Sequence, residues 1–241
     1  MRNYSFKPSL RAGLLFGSIF PLFVSLGIWQ LQRAEEKSAI NALRASRIQE
    51  PSMRLGPGAP PDLEAMRYRP IFAEGEYDTA HQFLLDNQMQ GQMPGYHVLT
   101  PLRLAGSGQA ILVNRGWVPQ GPSRAALPYI GLGTSGKLRV QGKLDYLHRV
   151  GFRLKGAEIP AAGWPSVVQL PEADQLAERL GYPLLPYQVL LDPDAESGYL
   201  RVWHAAPLDP GKNLGYALQW FLFAAGAAFF FLRHTLKRGA R

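Results

Sequence analysis

The sequence predicts a membrane α+β fold, in which two transmembrane helices flank an antiparallel β-rich extracytoplasmic domain, a small barrel or sandwich. Three observations predict it. Two uncharged runs of membrane-spanning length stand near the two ends of the chain. The basic excess is gathered outside those runs. Between them, short turn-punctuated strand patterns follow one another with a single helical segment among them.

In chain order, residues 1–11 are a basic tail with Arg2, Lys7 and Arg11 and no acid. Residues 12–32 carry no formal charge, and as a helix they extend about 31 Å, the thickness of a hydrocarbon core of about 30 Å. This run is longer than the apolar region of a secretory signal, and no small-x-small cleavage site follows Trp29, so it reads as a retained span. The helix is expected to continue into water over Arg33–Ile48 and to break at the Pro/Gly cluster from Pro51 to Pro61. Strands are then expected over Tyr68–Tyr77, His81–Asp86, His97–Leu102, Gln109–Trp117, Leu138–Leu147, Val167–Leu170, Tyr187–Asp192 and Tyr199–Trp203, with a helix over Pro171–Leu180. Residues 33–212 thus form the external domain. A second uncharged run at 213–232 spans by the same length argument, and 233–241 is a second acid-free basic tail.

The net charge of +8 comes from 26 Lys+Arg against 18 Asp+Glu, and its excess sits at the chain ends. The central domain is nearly neutral, which speaks against nucleic-acid binding. Basic flanks outside both spans place both termini in the cytoplasm by the positive-inside rule and the central domain in a periplasm. Only eleven residues precede the first span, too few for a transit segment, so a bacterial inner membrane is expected.

With 0 cysteines, thiolate nucleophiles, disulfides and Cys-based metal sites are excluded. No GxSxG, HExxH, Walker loop or GxGxxG occurs. Met89, Met93 and His97 recur every four residues and have the soft donors that Cu(I) takes, but Gly91, Pro94 and Gly95 deny them a helix. In the spans, Asn213, Tyr216 and Trp220 fall on one helical stripe, with Gln219 beside it, and Trp29 and Gln30 lie at the same outer end of the first span. Together they form a candidate outer-leaflet site for a porphyrin or isoprenoid headgroup, with Arg33, Lys37 and Lys212 at its rim; an aromatic belt is the simpler account of Trp29 and Tyr216. Gly13 with Gly17 and Ala224 with Ala228 are small-residue pairs that suggest close helix contact.

Gly27-Ile28-Trp29-Gln30-Leu31-Gln32-Arg33, Pro94-Gly95-Tyr96, Asn114-Arg115-Gly116-Trp117 and Gly215-Tyr216-Ala217-Leu218-Gln219-Trp220-Phe221, with Gly142-Lys143-Leu144, Gly151-Phe152, Trp164-Pro165 and Leu191-Asp192-Pro193 in order between them, resemble the surfeit locus protein 1 family. The resemblance implies a non-enzymatic assembly factor for haem-copper cytochrome c oxidase. Its implied partners are oxidase subunit I and the haem a synthesis machinery, and its implied cofactor is haem a, held transiently. The position at which bacterial relatives are proposed to offer a haem-ligating His is Asn213 here, and His204 is the neighbouring imidazole. Two other readings stand beside it, a structural subunit of a respiratory complex and a membrane enzyme acting on a lipid or isoprenoid. Arg115 is expected to pair with a carboxylate, inside the domain or on a partner.

Overall fold

The computed structural model describes residues 4–6, 9–56, 62, 65–133, 136–147, 155–203 and 208–238. The chain divides into two compact units, Met1–Leu43 with Ala205–Arg241, and Arg44–His204.

In the first unit, strand β1 (Tyr4–Phe6) precedes the long helix α1 (Leu10–Ile48). Helix α3 (Pro210–Thr235) returns antiparallel to α1 and ends in β10 (Leu236–Arg238), which pairs with β1. Both helices are long and apolar enough to cross a membrane. Asp209 caps α3, its side chain accepting from the Gly211 N–H at 2.8 Å, and Pro210 opens the helix where its missing N–H has no partner to lose.

The contact row on α1 runs Phe16, Phe23, Gly27, Gln30, Ala34, Lys37 and Asn41. Phe16 stacks on Phe231 at 4.3 Å, Phe23 meets Trp220 at 5.7 Å, and Gln30, Lys37 and Asn41 hydrogen-bond across to the start of α3. A step of seven and then steps of four and three are the repeat of helices that wind around one another with a left hand. Gly27 lets the helices approach: a Cβ there would stand 2.6 Å from the Phe221 ring. The expected small-residue contact at Gly13 and Gly17 is not formed, since nothing lies within 4 Å of a Cβ at either. Ala224, by contrast, is buried in the pair.

The second unit contains β2 (Met53–Leu55), β3 (Pro70–Tyr77), β4 (Phe83–Gln90), β5 (Met93–Leu104), β6 (Ala110–Pro119), β7 (Leu138–Tyr146), β8 (Ser166–Val168), α2 (Ala173–Leu180) and β9 (Leu184–Leu191). The pairings β3–β7, β7–β9, β9–β6, β6–β5 and β5–β3 close a ring of five strands. An odd ring cannot alternate direction all the way round, and the seam where alternation fails is the parallel pair β6–β9. This is a small Greek-key barrel of the five-stranded type. β4 extends β5 antiparallel outside the ring, β8 adds to β4 in parallel, and β2 adds to β3 in parallel, so the antiparallel expectation holds for most of the ladders but not for β6–β9, β4–β8 and β2–β3.

Alternating residues of β3 are buried because one face meets the barrel interior, where Ile71, Ala73, Leu102, Ile111, Val113, Val140, Leu144 and Val189 pack. β6 is buried along nearly its whole length, since its outer face carries Leu112 into a second cluster with Phe83, Leu99 and Leu176 of α2. Tyr199–Trp203 is not a strand. Leu200 makes one isolated bridge to Trp117, and the Trp203 indole donates to the Leu191 carbonyl at 2.6 Å.

Candidate functional site

The first candidate lies at the start of α3. Asn213 donates through its amide nitrogen to Gln30 Oε1 at 2.6 Å and accepts from Lys37 Nζ at 2.6 Å. Lys37 also donates to the Asp209 carbonyl at 3.2 Å. One turn along α1, Asn41 brackets the backbone of Leu208, donating to its carbonyl at 2.8 Å and accepting from its N–H at 3.0 Å. Four side chains therefore fasten the two helices at one end, and aromatic packing fastens the rest.

Of the residues expected to converge here, Asn213, Gln30 and Trp220 lie on the contact side of the helix pair. Trp29, Tyr216 and Gln219 do not: all three are exposed, with Trp29 at 48% and Tyr216 at 54%. The i, i+3, i+7 stripe misplaces Tyr216, because the row that meets α1 is Asn213, Ala217, Trp220, Phe221 and Ala224. His204 lies outside the described residues, as do Gly151 and Phe152. Lys37, expected only as a rim cation, is a direct partner of Asn213, and Asn41 was not singled out; the signal for both is the three-four spacing from Gln30 through Ala34.

Haem iron takes imidazole, thiolate, thioether or phenolate ligands. Asn213 has none of these donors, and both polar atoms of its amide are already engaged with Gln30 and Lys37. The residue at this position does not fit an axial ligand.

The second candidate is Arg115, which continues the inward row Ile111–Val113 to one end of the barrel and is 2% exposed. Among the described residues it meets no carboxylate. Its Nε donates to the Ser197 carbonyl at 2.8 Å, and one Nη donates to Gln82 Oε1 at 3.0 Å, to Thr100 Oγ1 at 3.4 Å and to the Ile130 carbonyl at 3.4 Å. The guanidinium also lies 4.9 Å from the centre of the Tyr199 ring. Burial pushes its pKa below the ordinary arginine value, with Tyr199 and Tyr77 acting the other way. Next to it, Gly116 adopts φ +113, where a Cβ would meet the Leu200 carbonyl at 2.8 Å, so the Asn-Arg-Gly-Trp segment is a bend that only glycine can make. Asn114 completes the segment by donating to Gln188 Oε1 across the parallel seam at 3.0 Å.

A third cluster surrounds Asp78, whose carboxylate accepts from Arg103 at 2.9 Å, from Tyr182 at 2.8 Å and from His81 at 2.9 Å. Burial alone would raise its pKa; the hydrogen bonds from His81, Tyr182 and Arg103 outweigh that and hold it below the usual carboxylate value. Three donors converge on the one carboxylate, as in a structural network. Met89, Met93 and His97 sit on the β4–β5 hairpin, where extended backbone sets Met93 and His97 about 13 Å apart. They form no common site. Among the described residues no group of three His, Asp or Glu could hold a metal ion.

Residues 18–225 match the model of the SURF1 family. Surfeit locus protein 1 of Mus musculus is 30% identical over 109 residues, 39% of this chain and 35% of that protein. The SURF1-like protein of Monosiga brevicollis is 30% identical over 125 residues, 46% of this chain and 48% of that protein. Cytochrome oxidase assembly protein SHY1 of Saccharomyces cerevisiae is 24% identical over 195 residues, 79% of this chain and 49% of that protein. The chain spans half or less of the length of each of these relatives.

Proposed function

The chain belongs to the SURF1 family, and from that membership we propose that it is a membrane-anchored, non-enzymatic factor in the assembly of a haem-copper cytochrome oxidase. The observation that carries the reading is the family match over residues 18–225, joined to a relative named for oxidase assembly that aligns with 79% of the chain. Two helices of spanning length supply the anchor, and the acid-free basic residues outside them favour cytoplasmic termini with the barrel on the opposite side of a bacterial inner membrane.

The work in this reading is binding. The partner is oxidase subunit I, held while haem a enters it, and the haem a synthesis machinery acts beside it. The described residues favour binding over chemistry. Arg115, Gln82 and Thr100 satisfy one another, and the Asp78 carboxylate is saturated by three donors, so neither cluster presents a free acid, base or nucleophile. No step runs through iron ligated at residue 213.

Deletion of the gene tests the reading. Membranes of the deletion strain should lose most of the haem a absorbance and cytochrome c oxidase activity while haem b enzymes persist. Unchanged oxidase spectra and activity would refute the assembly role. An alkaline phosphatase fusion after Leu138 tests the orientation separately and should be active.

A further inference from the structure

A cavity lies on the barrel between β7 and the segment that follows β9; it borders the Arg115 network at Ser197 and is otherwise unused by the sites described above. It encloses about 500 Å³ and is walled by Leu138, Val140, Leu191 and Ala195. Its rim carries Asp192, Asp194 and Glu196 within five positions, and no Lys or Arg forms an ion pair with any of them among the described residues.

At its floor is the Tyr77 hydroxyl. Tyr77 is 6% exposed, lines the cavity, and its hydroxyl has no hydrogen-bond partner; Ser197 stands beside it out of bonding geometry. Burial pushes the phenol up to about 12, against a smaller opposite pull from Arg115, so the group is a neutral hydroxyl at any physiological pH. A buried hydroxyl without a partner is costly, and a ligand atom placed there would recover that cost.

The rim is held in place. Arg201 ties it from beneath, donating to the Ala195 carbonyl at 2.6 Å and to the Pro193 carbonyl. Asp192 N–H donates to the Gln141 carbonyl at 3.0 Å, and Arg115 holds Ser197 from inside the barrel. Arg139 also lines the cavity, with its guanidinium stacked on the Phe72 ring at 3.8 Å, and Arg201 is engaged with the backbone carbonyls of the rim. Burial holds the Asp192 pKa above the ordinary carboxylate value, Lys143 and Arg201 pull it down, and Asp194 adds to the rise.

We propose that this cavity receives a lysine side chain of a partner polypeptide, the ammonium lying among Asp192, Asp194 and the Tyr77 hydroxyl and the methylene stem along Leu138, Val140 and Leu191. Charge selects the head group, since an ammonium can donate to three acceptors at once. The apolar walls select a stem of several methylenes, which a small inorganic cation or ammonium itself lacks. The open mouth and the exposed Glu196 leave room for the flanking backbone of the polypeptide that carries the lysine. The inference does not depend on the assembly reading, since it concerns the affinity of the purified protein.

The test is titration of the detergent-solubilised full chain with acetyl-Gly-Lys-Gly-amide, with the same peptide acetylated on the lysine, and with n-butylammonium. The lysine peptide should bind saturably. Tyr77→Phe should weaken it by about threefold or more and Asp192→Asn by about tenfold, as expected for one neutral and one charge-assisted hydrogen bond. Melting temperatures keep the variants interpretable: Asp192→Asn should melt at or above wild type, because the ionised carboxylate is disfavoured by burial at neutral pH. Equal binding of the acetylated peptide, unchanged affinity in both variants, or no saturable binding into the ~10 mM range would overturn the proposal, that last limit being under about 3 kcal/mol of binding. Butylammonium binding as tightly as the peptide would overturn the polypeptide as its source.

Discussion

Replacing Arg115 separates the two roles a buried cation can have, charge and shape. The guanidinium is 2% exposed and has only neutral acceptors, so its charge is opposed by burial and its geometry does the holding. In Arg115→Met, Gln82 Oε1 keeps its bond from Thr100 at 2.8 Å and the Ile130 carbonyl keeps its bond from Gln82 at 3.3 Å. The Ser197 carbonyl is the acceptor left alone, at about 1–3 kcal/mol. Removing the buried charge returns a comparable amount, because the desolvation of an ion with no opposite charge is worth several kcal/mol. The net effect should be within about 2 kcal/mol of wild type. Arg115→Lys retains the charge and loses the planar fork that reaches Ser197 and Gln82 together, and should cost about 3–5 kcal/mol. At roughly 2–4 °C per kcal/mol, the lysine variant should melt about 6–20 °C below wild type and clearly below the methionine variant. Tryptophan fluorescence of the full chain in detergent reads this, since Trp117, Trp164 and Trp203 all belong to the barrel unit. A stable lysine variant beside a collapsed methionine variant would refute the reasoning and show that the positive charge itself is needed, as it would be for an anionic partner.

Other outcomes follow from the same geometry. Asn213→Ala removes two 2.6 Å hydrogen bonds from the helix pair and should weaken it by about 1–3 kcal/mol, read as earlier separation of cysteine-engineered spin labels on α1 and α3. Asn213→His should not raise haem retention while Gln30 and Lys37 still hold position 213, and pyridine haemochrome assay of the purified variant checks this. Gly27→Leu drives a side chain into the Phe221 ring and should disrupt the pair, whereas the double change with Phe221→Ala should recover part of the loss; no recovery would show that the two residues do not meet. The Asp78 carboxyl is held below its unfolded value of about 3.9, so its contribution is complete above that pH and disappears as pH falls through the folded value. The gap in urea stability between wild type and Asp78→Asn should therefore be full at pH 7 and shrink below about pH 4.

The β-rich domain was legible because its strands alternate. β3 and β7 each bury every second residue through much of their length, and the turn residues between strands stand where the chain reverses. The parallel seam was not legible, since side-chain periodicity carries no strand direction; it follows from the count of strands in the ring, which the sequence does not state. Tyr199–Trp203 has the composition of a strand, but its groups are spent on specific contacts, the Trp203 indole on Leu191 and the Arg201 guanidinium on the backbone before it. In the spans, polarity drew attention to Trp29, Tyr216 and Gln219, yet the helix contact follows spacing and residue size. Gly27, Ala34, Ala217 and Ala224 are its buried members, and an unremarkable lysine supplies a bond that Asn213 accepts. Arg115 was recognised from its motif, but its neutral surroundings depend on Gln82, Thr100 and Ser197, which are distant in sequence.

The odd number of strands also orders events in time. The parallel seam joins residues such as Asn114 and Gln188, 74 positions apart, so its contacts demand the greatest chain closure in the ring. The local hairpin ladders β4–β5 and β5–β6 can exist before it, but the barrel has no interior until β9 docks. The segment that supplies Ser197 to Arg115 and the acidic rim to Tyr77 comes directly after β9. A nascent chain therefore presents neither the arginine's acceptor nor the acidic cavity until the last strand is inserted, and any partner that reads that surface meets only finished barrels.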